Sequence, residues 1–177
     1  TEFLTKADAN DETFLTNIIK YVSYEFENYC HRNFKKDQRS KYYDAGKRNY
    51  NLPAFPIDSS TTLTVTYDGS VQTINDDYWV WYDEGIIEFQ TVPSLTEPKQ
   101  MYITWTGGYV ETNSVLAVPD DLKFACVLQS TFVYRRRKDV GLQSVSMPDG
   151  SMSILSPTDF LPDVKKILSR YRVRGIY

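Results

Sequence analysis

Apolar side chains recur at a spacing of three and four along residues 11–34, which predicts an amphipathic helix with one wide buried stripe. Asp11 and Glu12 stand at its predicted start, where acidic side chains suit the positive end of the helix dipole. The stripe consists of Phe14, Leu15, Ile18, Ile19, Val22, Phe26, Tyr29, Cys30 and Phe34. Its width indicates that the helix packs against at least two other elements.

From residue 39 onward the apolar period changes to two, which predicts β-strands. The candidate strands are residues 41–44, 63–67, 71–74, 78–82, 86–89 and 101–106. Asp68-Gly69 is a strong signal for a two-residue hairpin, and Asp83-Glu84-Gly85 joins the next pair of strands. Two prolines exclude residues 52–57 from a central strand, so we expect an extended linker there.

Helical patterning returns after Val118, with Pro119 at the first helical position and Gly141 as a breaker. Residues 142–157 predict a loop or a small hairpin, and residues 162–171 predict a last helix that Asp159 can cap. The chain is therefore predicted to be a single α+β domain. A long N-terminal helix and C-terminal helices (about 8–38 and 119–177) would form a small bundle, with an antiparallel sheet or meander (about 39–118) inserted between them.

Formal charge is distributed unevenly along the chain. Residues 49–118 hold nine carboxylates against the single cation Lys99, a charge of −8, whereas residues 32–48 carry +5 and residues 119–177 carry +4. Such an alternation suits head-to-tail contacts between copies, because unlike patches attract and set orientation. Solvated surfaces of both signs would explain it equally well.

The sequence contains no recognisable catalytic or metal-binding constellation. The single histidine, His31, lacks further ligands at zinc spacing, and adjacent residues on a helix point too far apart for Cys30 and His31 to act together. We expect His31 at the surface and no enzyme activity, metal or cofactor. Cys30 and Cys126 fall on apolar helix positions typical of buried free thiols in a reducing compartment, although a disulfide between them stays open. No apolar run approaches the roughly 18 residues needed to span a bilayer.

Two segments are candidates for binding. Arg135, Arg136, Arg137 and Lys138 form a basic run that suits either a helix C-terminus or a partner contact. In residues 78–82, strand alternation places Trp79 and Trp81 on one side and Tyr78, Val80 and Tyr82 on the other. At least one of these aromatic sides is expected to be core, and an exposed one would mark an interface.

The order of several short motifs resembles a known family. These are IIKYVSYEFENYCHRNF at 18–34, YYDAG at 42–46, LPAFPI at 52–57, DY at 77–78, GII at 85–87, ITWTGGY at 103–109 and VPDDLK at 118–123. Together they are similar to the head–tail connector (adaptor, or head completion) proteins of tailed double-stranded DNA bacteriophages, in the larger form with a β insertion.

The resemblance implies a structural virion protein rather than an enzyme, made in the host bacterial cytoplasm and located in the neck of the particle. Such adaptors form a ring under the portal, usually of twelve copies, which extends the DNA channel and joins the capsid to a stopper or tail-completion protein. Double-stranded DNA passes through without sequence-specific binding. By analogy, the portal contact would involve Lys165, Arg170, Tyr171, Arg172, Arg174, Ile176 and Tyr177. The run at residues 135–138 would lie between subunits.

The acidic residues Asp76, Asp77, Asp83 and Glu84 would then face either the channel or the tail partner. In the channel they would repel DNA phosphates, and on the rim they would meet a basic protein. Because the same segment is rich in aromatic residues, a carbohydrate- or surface-binding β module with helical flanks is the alternative function.

Overall fold

The computed structural model describes residues 9–110, 116–136, 144–147, 150–153 and 159–173. Their elements are, in chain order, α1 (Ala9–Cys30), β1 (Asp37–Tyr43), β2 (Asn49–Asn51), β3 (Thr64–Tyr67), β4 (Ser70–Val71), β5 (Tyr78–Trp81), β6 (Ile86–Phe89), β7 (Met101–Gly107), α2 (Asp120–Arg135), β8 (Ser144–Met147), β9 (Gly150–Ser153) and α3 (Pro162–Tyr171). Helices and antiparallel sheets together confirm the predicted α+β class. The chain forms two compact units, His31–Val118 and the helical remainder.

The first helix is shorter than predicted, because it ends at Cys30 and not at residue 34. His31 adopts a φ of 53°, a left-handed conformation that ends a helix. The backbone N–H of Val173 donates to the freed carbonyl of Cys30 at 2.9 Å. Phe34, expected on the helix stripe, instead packs in the other unit, with its ring 6.4 Å from that of Tyr109.

The core of the helical unit follows the predicted stripe. The side chains at four-residue intervals along α1 are buried, and they meet residues of α2 and α3 that are equally excluded from water. These buried residues are Ile18, Val22, Phe26 and Cys30 of α1, Leu122 and Ala125 of α2, and Val164 and Leu168 of α3. Phe160 adds an edge-on contact, with its ring 5.5 Å from Phe26 and 5.4 Å from Tyr29.

The start of α3 is held by a residue that the sequence did not indicate. Its N-terminal boundary residue, Leu161, forms no side-chain cap, so the prediction that Asp159 caps this helix is wrong. Instead the amide of Gln129, buried within α2, accepts from the N–H of Leu161 at 3.0 Å and donates to the carbonyl of Asp159 at 2.9 Å. One side-chain amide therefore supplies both the donor and the acceptor that this chain turn needs.

The second unit contains two antiparallel sheets, with strand orders β1-β7-β3-β4 and β2-β6-β5. Strands occur at all six predicted places, although β1 begins four residues earlier than predicted and β4 shares only Val71 with the strand predicted at residues 71–74. The short β2 was not predicted. β1 pairs with β7 across more than fifty residues of sequence, from Asp37 opposite Gly107 to Tyr43 opposite Met101. The predicted two-residue turn is also present, with Tyr67 opposite Ser70.

Both sheets contribute to one hydrophobic core. It contains Tyr50, Leu52, Ala54, Ile57, Val65, Tyr78, Ile87, Phe89, Met101, Ile103 and Trp105. The indole N–H of Trp105 donates to the carbonyl of Ala54 at 2.9 Å, which satisfies both buried polar groups. Residues 52–57, predicted as an extended linker, thus fill the core as well as connecting strands. The peptide bond between Phe55 and Pro56 is cis.

A partly buried ion pair lies near the start of this unit. The ammonium of Lys36 lies 2.5 Å from a carboxylate oxygen of Asp58, whose side chain is 8% exposed. The other carboxylate oxygen accepts from the hydroxyl and the backbone N–H of Ser60 at 2.7 and 2.9 Å. Together Lys36 and Ser60 lower the pKa of Asp58 from 3.8 to about 2.

Candidate interaction surfaces

The described residues offer no assembled chemical centre. No three of their His, Cys, Asp or Glu side chains come close enough together to hold a metal ion. None of the described helices is long and apolar enough to cross a membrane. His31 is exposed, as predicted, and Cys30 and Cys126 are both free thiols. Burial raises the pKa of the Cys126 thiol, which disfavours its reactive thiolate.

Strand β5 presents an exposed aromatic surface. Its residues alternate as predicted: Tyr78 is buried and Val80 is half-buried on the core side, whereas Trp79 and Trp81 are 39% and 51% exposed on the other. Registration opposite β6 places Glu88 beside Trp79 and Ile86 beside Trp81 on the same outer side. Two large exposed indoles on one short strand are typical of a binding surface.

A small polar network holds the indole of Trp81 in place. One carboxylate oxygen of Glu88 accepts from the indole N–H of Trp81 at 3.1 Å, and the other accepts from the guanidinium of Arg48 at 3.0 Å. The charge of Glu88 is therefore already neutralised, and both of its carboxylate oxygens have partners within the chain. The indole face of Trp81 remains available to a partner, because the hydrogen bond uses only the ring edge.

The four acidic candidates do not form one cluster. Asp76 and Asp77 lie in the turn before β5, and Asp83 and Glu84 lie in the turn after it. A strand rises about 3.3 Å per residue, so the two pairs are roughly 15–20 Å apart. The sequence brought them together as one patch, whereas the structure places them at opposite ends of the strand that carries the tryptophans.

Asp77 has a local structural task. Its carboxylate accepts from the backbone N–H of Thr73 at 2.7 Å, and its own N–H donates back to the carbonyl of Thr73 at 2.8 Å. The N–H of Gln90 donates to its carbonyl at 2.9 Å. Asp76, Asp83 and Glu84 are exposed, so these three supply the charge that a partner would meet.

The predicted portal-contact residues are partly engaged within the helical unit. The hydroxyl of Tyr171 donates to Asp121 at 2.5 Å, and the guanidinium of Arg170 lies 3.5 Å from the same carboxylate. Arg172 is exposed and sits 5.4 Å above the ring of Tyr29. Lys165 is exposed on α3. Arg174, Ile176 and Tyr177 lie outside the described residues.

The predicted inter-subunit run begins at the end of α2. Arg135 is its exposed last residue, and the N–H of Arg136 donates to the carbonyl of Phe132 at 3.1 Å. The guanidinium of Arg136 also lies 5.5 Å from the Phe132 ring. Both arginines are therefore placed where cations favour the negative end of the helix dipole. Arg137 and Lys138 lie outside the described residues.

Sequence reasoning missed exposed apolar residues on the helices. Phe14, Tyr21 and Tyr24 of α1 are 42%, 43% and 61% exposed, and Phe124 and Val127 of α2 are 51% and 46% exposed. The three α1 residues share a side of the helix, since seven and then three residues separate them. The pattern wrongly assigned Phe14 to the buried stripe, and Ile19 of the same predicted stripe is 47% exposed. An unpaired amphipathic tyrosine gives no signal of its own.

A hydroxyl-rich sheet face was also missed. On the outer side of the four-stranded sheet, the ring of Tyr42 lies 4.6 Å from that of Tyr102, and the hydroxyl of Thr104 donates to that of Ser40 at 3.3 Å. Hydrogen bonds from Ser40 and Thr104 lower the pKa of Tyr102. Only the pairing of β1 with β7 brings these four residues together into one surface.

Comparison with solved structures gives the fold a context. The chain is similar to a chain in the neck of an empty gene transfer agent (GTA) particle computed with C6 symmetry, with 18% identity, 98% of this chain and 83% of that chain covered, and a TM-score of 0.61. It is equally similar to one in the virion of a native GTA particle (19% identity, 99% and 89% covered, TM-score 0.61). A third, from a native GTA neck computed with C12 symmetry, has 18% identity, 92% and 84% coverage and a TM-score of 0.58.

No curated protein sequence matches the chain at a significant level. A family-level comparison is decisive, since it aligns almost the whole sequence and covers both the helical unit and the β insertion. The match spans residues 1–174 and is to the family described as "Head completion protein", and the chain therefore belongs to the head completion protein family.

Proposed function

We propose that this protein is a head–tail adaptor whose copies form a ring under the portal, extend the DNA channel and join the capsid to a stopper or tail-completion protein. Its membership of the head completion family carries this proposal, and gives it a structural role in the virion at the junction of head and tail. The fold agrees, because chains of the same fold occur in necks of gene transfer agent particles. Nothing in the role requires the protein to perform catalysis.

Ring formation is supported by the symmetry of those necks and by the surface of the helical unit. The neck structures are computed with six- and twelve-fold symmetry, which suits a ring of twelve copies. Tyr21 and Tyr24 of α1 and Phe124 of α2 expose apolar surface that neighbouring copies would cover. Aromatic side chains are enriched at such interfaces, since they bury much area at little entropic cost.

The outer side of α3 suits the portal contact. Val164 and Leu168 face the core of the helical unit, so Lys165, Lys166 and Arg170 are left on the exposed side of this short helix. Three cations within six residues would match an acidic surface of a partner. The following segment, residues 172–177, would extend the same contact.

The decisive experiment is the mass of the protein by light scattering, alone and mixed with the portal protein of its phage. A ring-sized complex with the portal is expected from the wild type. The variant Lys165→Glu/Lys166→Glu should bind the portal more weakly, whereas Lys165→Arg/Lys166→Arg keeps both charges and serves as the matched control. A wild-type chain that ignores the portal would reject the adaptor role.

The acidic residues would act after assembly. If Asp76, Asp83 and Glu84 line the channel, they repel the DNA backbone and keep the genome from sticking. Their reversal to lysine, together with that of Asp77, should then slow DNA ejection from otherwise complete particles. Normal ejection with a loss of tail joining would instead assign them to the tail partner.

The exposed pair Trp79 and Trp81 supports a second candidate function, a carbohydrate-binding surface. Indoles on one strand can stack on sugar rings, as other aromatic platforms do. Binding of glycans by the monomer, lost in Trp81→Ser, would favour this function. The family match makes the adaptor role the stronger conclusion.

A further inference from the structure

The β insertion has two lateral edges of different chemistry. Its four-stranded sheet ends in β1 on one side, and its three-stranded sheet ends in β5. Both sheets pack their inner sides into one core, so the insertion is a two-layered sandwich. β1 and β5 belong to different edges of this sandwich only if they lie on opposite sides of it.

Contacts between the layers place these strands on opposite sides. β1 lies over β2, because the ring of Tyr43 is 5.7 Å from that of Tyr50 and its hydroxyl donates to the carbonyl of Asn51 at 3.0 Å. β4 and β5 are the remaining edge strands of the two sheets, and only six residues join them, so they share the other side. One edge therefore carries β1 and β2, and the other carries β4 and β5.

The β5 edge is acidic and aromatic. It exposes Trp79 and Trp81 between two acidic turns. Residues 72–90 contain no lysine or arginine and five carboxylates, of which Glu88 is paired with Arg48. Tryptophan is the best aromatic partner for a cation, and a guanidinium or ammonium group over its ring can also reach a neighbouring carboxylate. The chemistry of this edge therefore selects a basic protein surface.

The β1 edge is basic. Residues 35–48 hold six lysines and arginines against two aspartates. Lys41 on the open strand and Lys47 in the following turn are exposed, whereas Lys36 is paired with Asp58 and Arg48 with Glu88. The same compact unit thus supplies, on its other side, the kind of surface that the β5 edge selects.

We propose that neighbouring copies in the ring touch through these two edges, with the basic β1 edge of one copy against the acidic, tryptophan-bearing β5 edge of the next. The inference rests on the ring of the proposed function and adds a contact between β insertions to the packing of helices. A closed ring needs a heterologous contact, in which two different patches of the same chain meet. Opposite edges with complementary charge meet that need, whereas an unrelated basic partner would explain only the β5 edge.

Charge exchange tests the contact. Asp83→Lys/Glu84→Lys reverses the acidic edge, Lys41→Glu/Lys47→Glu reverses the basic edge, and the chain with all four changes restores complementarity at the wild-type net charge. Asp83→Glu/Glu84→Asp, which keeps the charge at both positions, is the matched control. The protein concentration at which the ring forms on the portal would be measured by native mass spectrometry at about 50 mM salt, where exposed charges are weakly screened.

Each variant with one reversed edge is expected to need a protein concentration about five-fold higher, or more, to form the ring. The variant with all four substitutions should form it at a concentration close to that of wild type. Acrylamide quenching gives an independent readout, because Trp79 and Trp81 should become shielded in the ring while buried Trp105 does not change.

Reversed edges that assemble like wild type and like Asp83→Glu/Glu84→Asp would overturn the contact and leave the ring intact. The contact would also be overturned if the variant with all four substitutions formed the ring as poorly as the two variants with one reversed edge. A wild-type chain that forms no ring at all would instead reject the proposed function itself.

Discussion

The side-chain amide of Gln129 in α2 accepts a hydrogen bond from the backbone N–H of Leu161 at 3.0 Å, at the entrance to α3. Its amide N–H₂ group donates to the carbonyl of Asp159 two residues earlier. The side chain is 2% exposed, so water cannot replace either partner. A single buried amide thereby fixes the last helix on the bundle.

Replacing this amide should destabilise the helical unit. In Gln129→Ala, two backbone groups lose their partners in a buried position, which costs about 1–3 kcal/mol for such groups. Urea unfolding followed by circular dichroism measures the change. Val127→Ala, at an exposed position of the same helix, should stay within about 0.5 kcal/mol of wild type. Equal stabilities of the two variants would show that the amide contributes nothing to the bundle.

Stability should depend on pH through Asp58. Its pKa is lowered on folding, from 3.8 to about 2, so the stabilisation is complete above the unfolded value and is lost as the pH falls from about 4 to 2. At about 1.4 kcal/mol per pKa unit, the loss is at most about 2.5 kcal/mol. Denaturant unfolding of wild type and Asp58→Asn between pH 7 and pH 2 would measure it.

The variant should be less stable at neutral pH and should change less on acidification over the same interval. Ser60→Ala removes the hydroxyl that donates to the carboxylate and should give an intermediate profile. Parallel curves for wild type and Asp58→Asn would contradict the assignment of this pH dependence to the ion pair with Lys36.

Gly107 should be intolerant of any side chain. A Cβ at this position would lie 2.2 Å from the carbonyl oxygen of Ala54, a backbone atom that the core holds in place. Gly107→Ala is therefore expected to cost about 3 kcal/mol or more, at the upper end of the usual range for overpacking. Gly69→Ala is the matched control, because nothing lies within 4 Å and only its φ of 75° is unfavourable. Strain of that kind costs about 1–2 kcal/mol, so thermal unfolding should rank the two variants clearly.

Local sequence patterns predicted the helices and strands of this fold better than they predicted which of these elements pair with one another. The three-four spacing of α1 and the alternation of the six strands depend on each segment's own residues, and both are confirmed. The pairing of β1 with β7 joins segments far apart in sequence, and no property of either strand specifies it. The end of α1 was misplaced because Phe34 continues the helical spacing, although the backbone leaves the helix at His31.

The candidate surfaces were likewise predictable only where they depend on local sequence. Alternation correctly separated Trp79 and Trp81 from Tyr78, because a strand has only two sides. The distance between Asp77 and Asp83 depends on the intervening strand, so nearness in sequence suggested a single patch. The hydrogen bonds of Gln129 could not be predicted, because one polar residue within a helix gives no information about a chain segment thirty residues later.

The exposed tyrosines of α1 should matter for assembly and not for folding. Tyr24 is 61% exposed, so Tyr24→Ser should change the free energy of unfolding by no more than about 0.5–1 kcal/mol, mostly through helix propensity. Phe26, two residues later, is buried against Phe160, and Phe26→Ala should cost about 3–5 kcal/mol. If neighbouring helices cover Tyr24 in the ring, Tyr24→Ser will weaken ring formation on the portal while the monomer unfolds like wild type. A variant that assembles normally would leave this side of α1 facing solvent, and ring contacts would then have to lie on other surfaces such as Phe124 of α2.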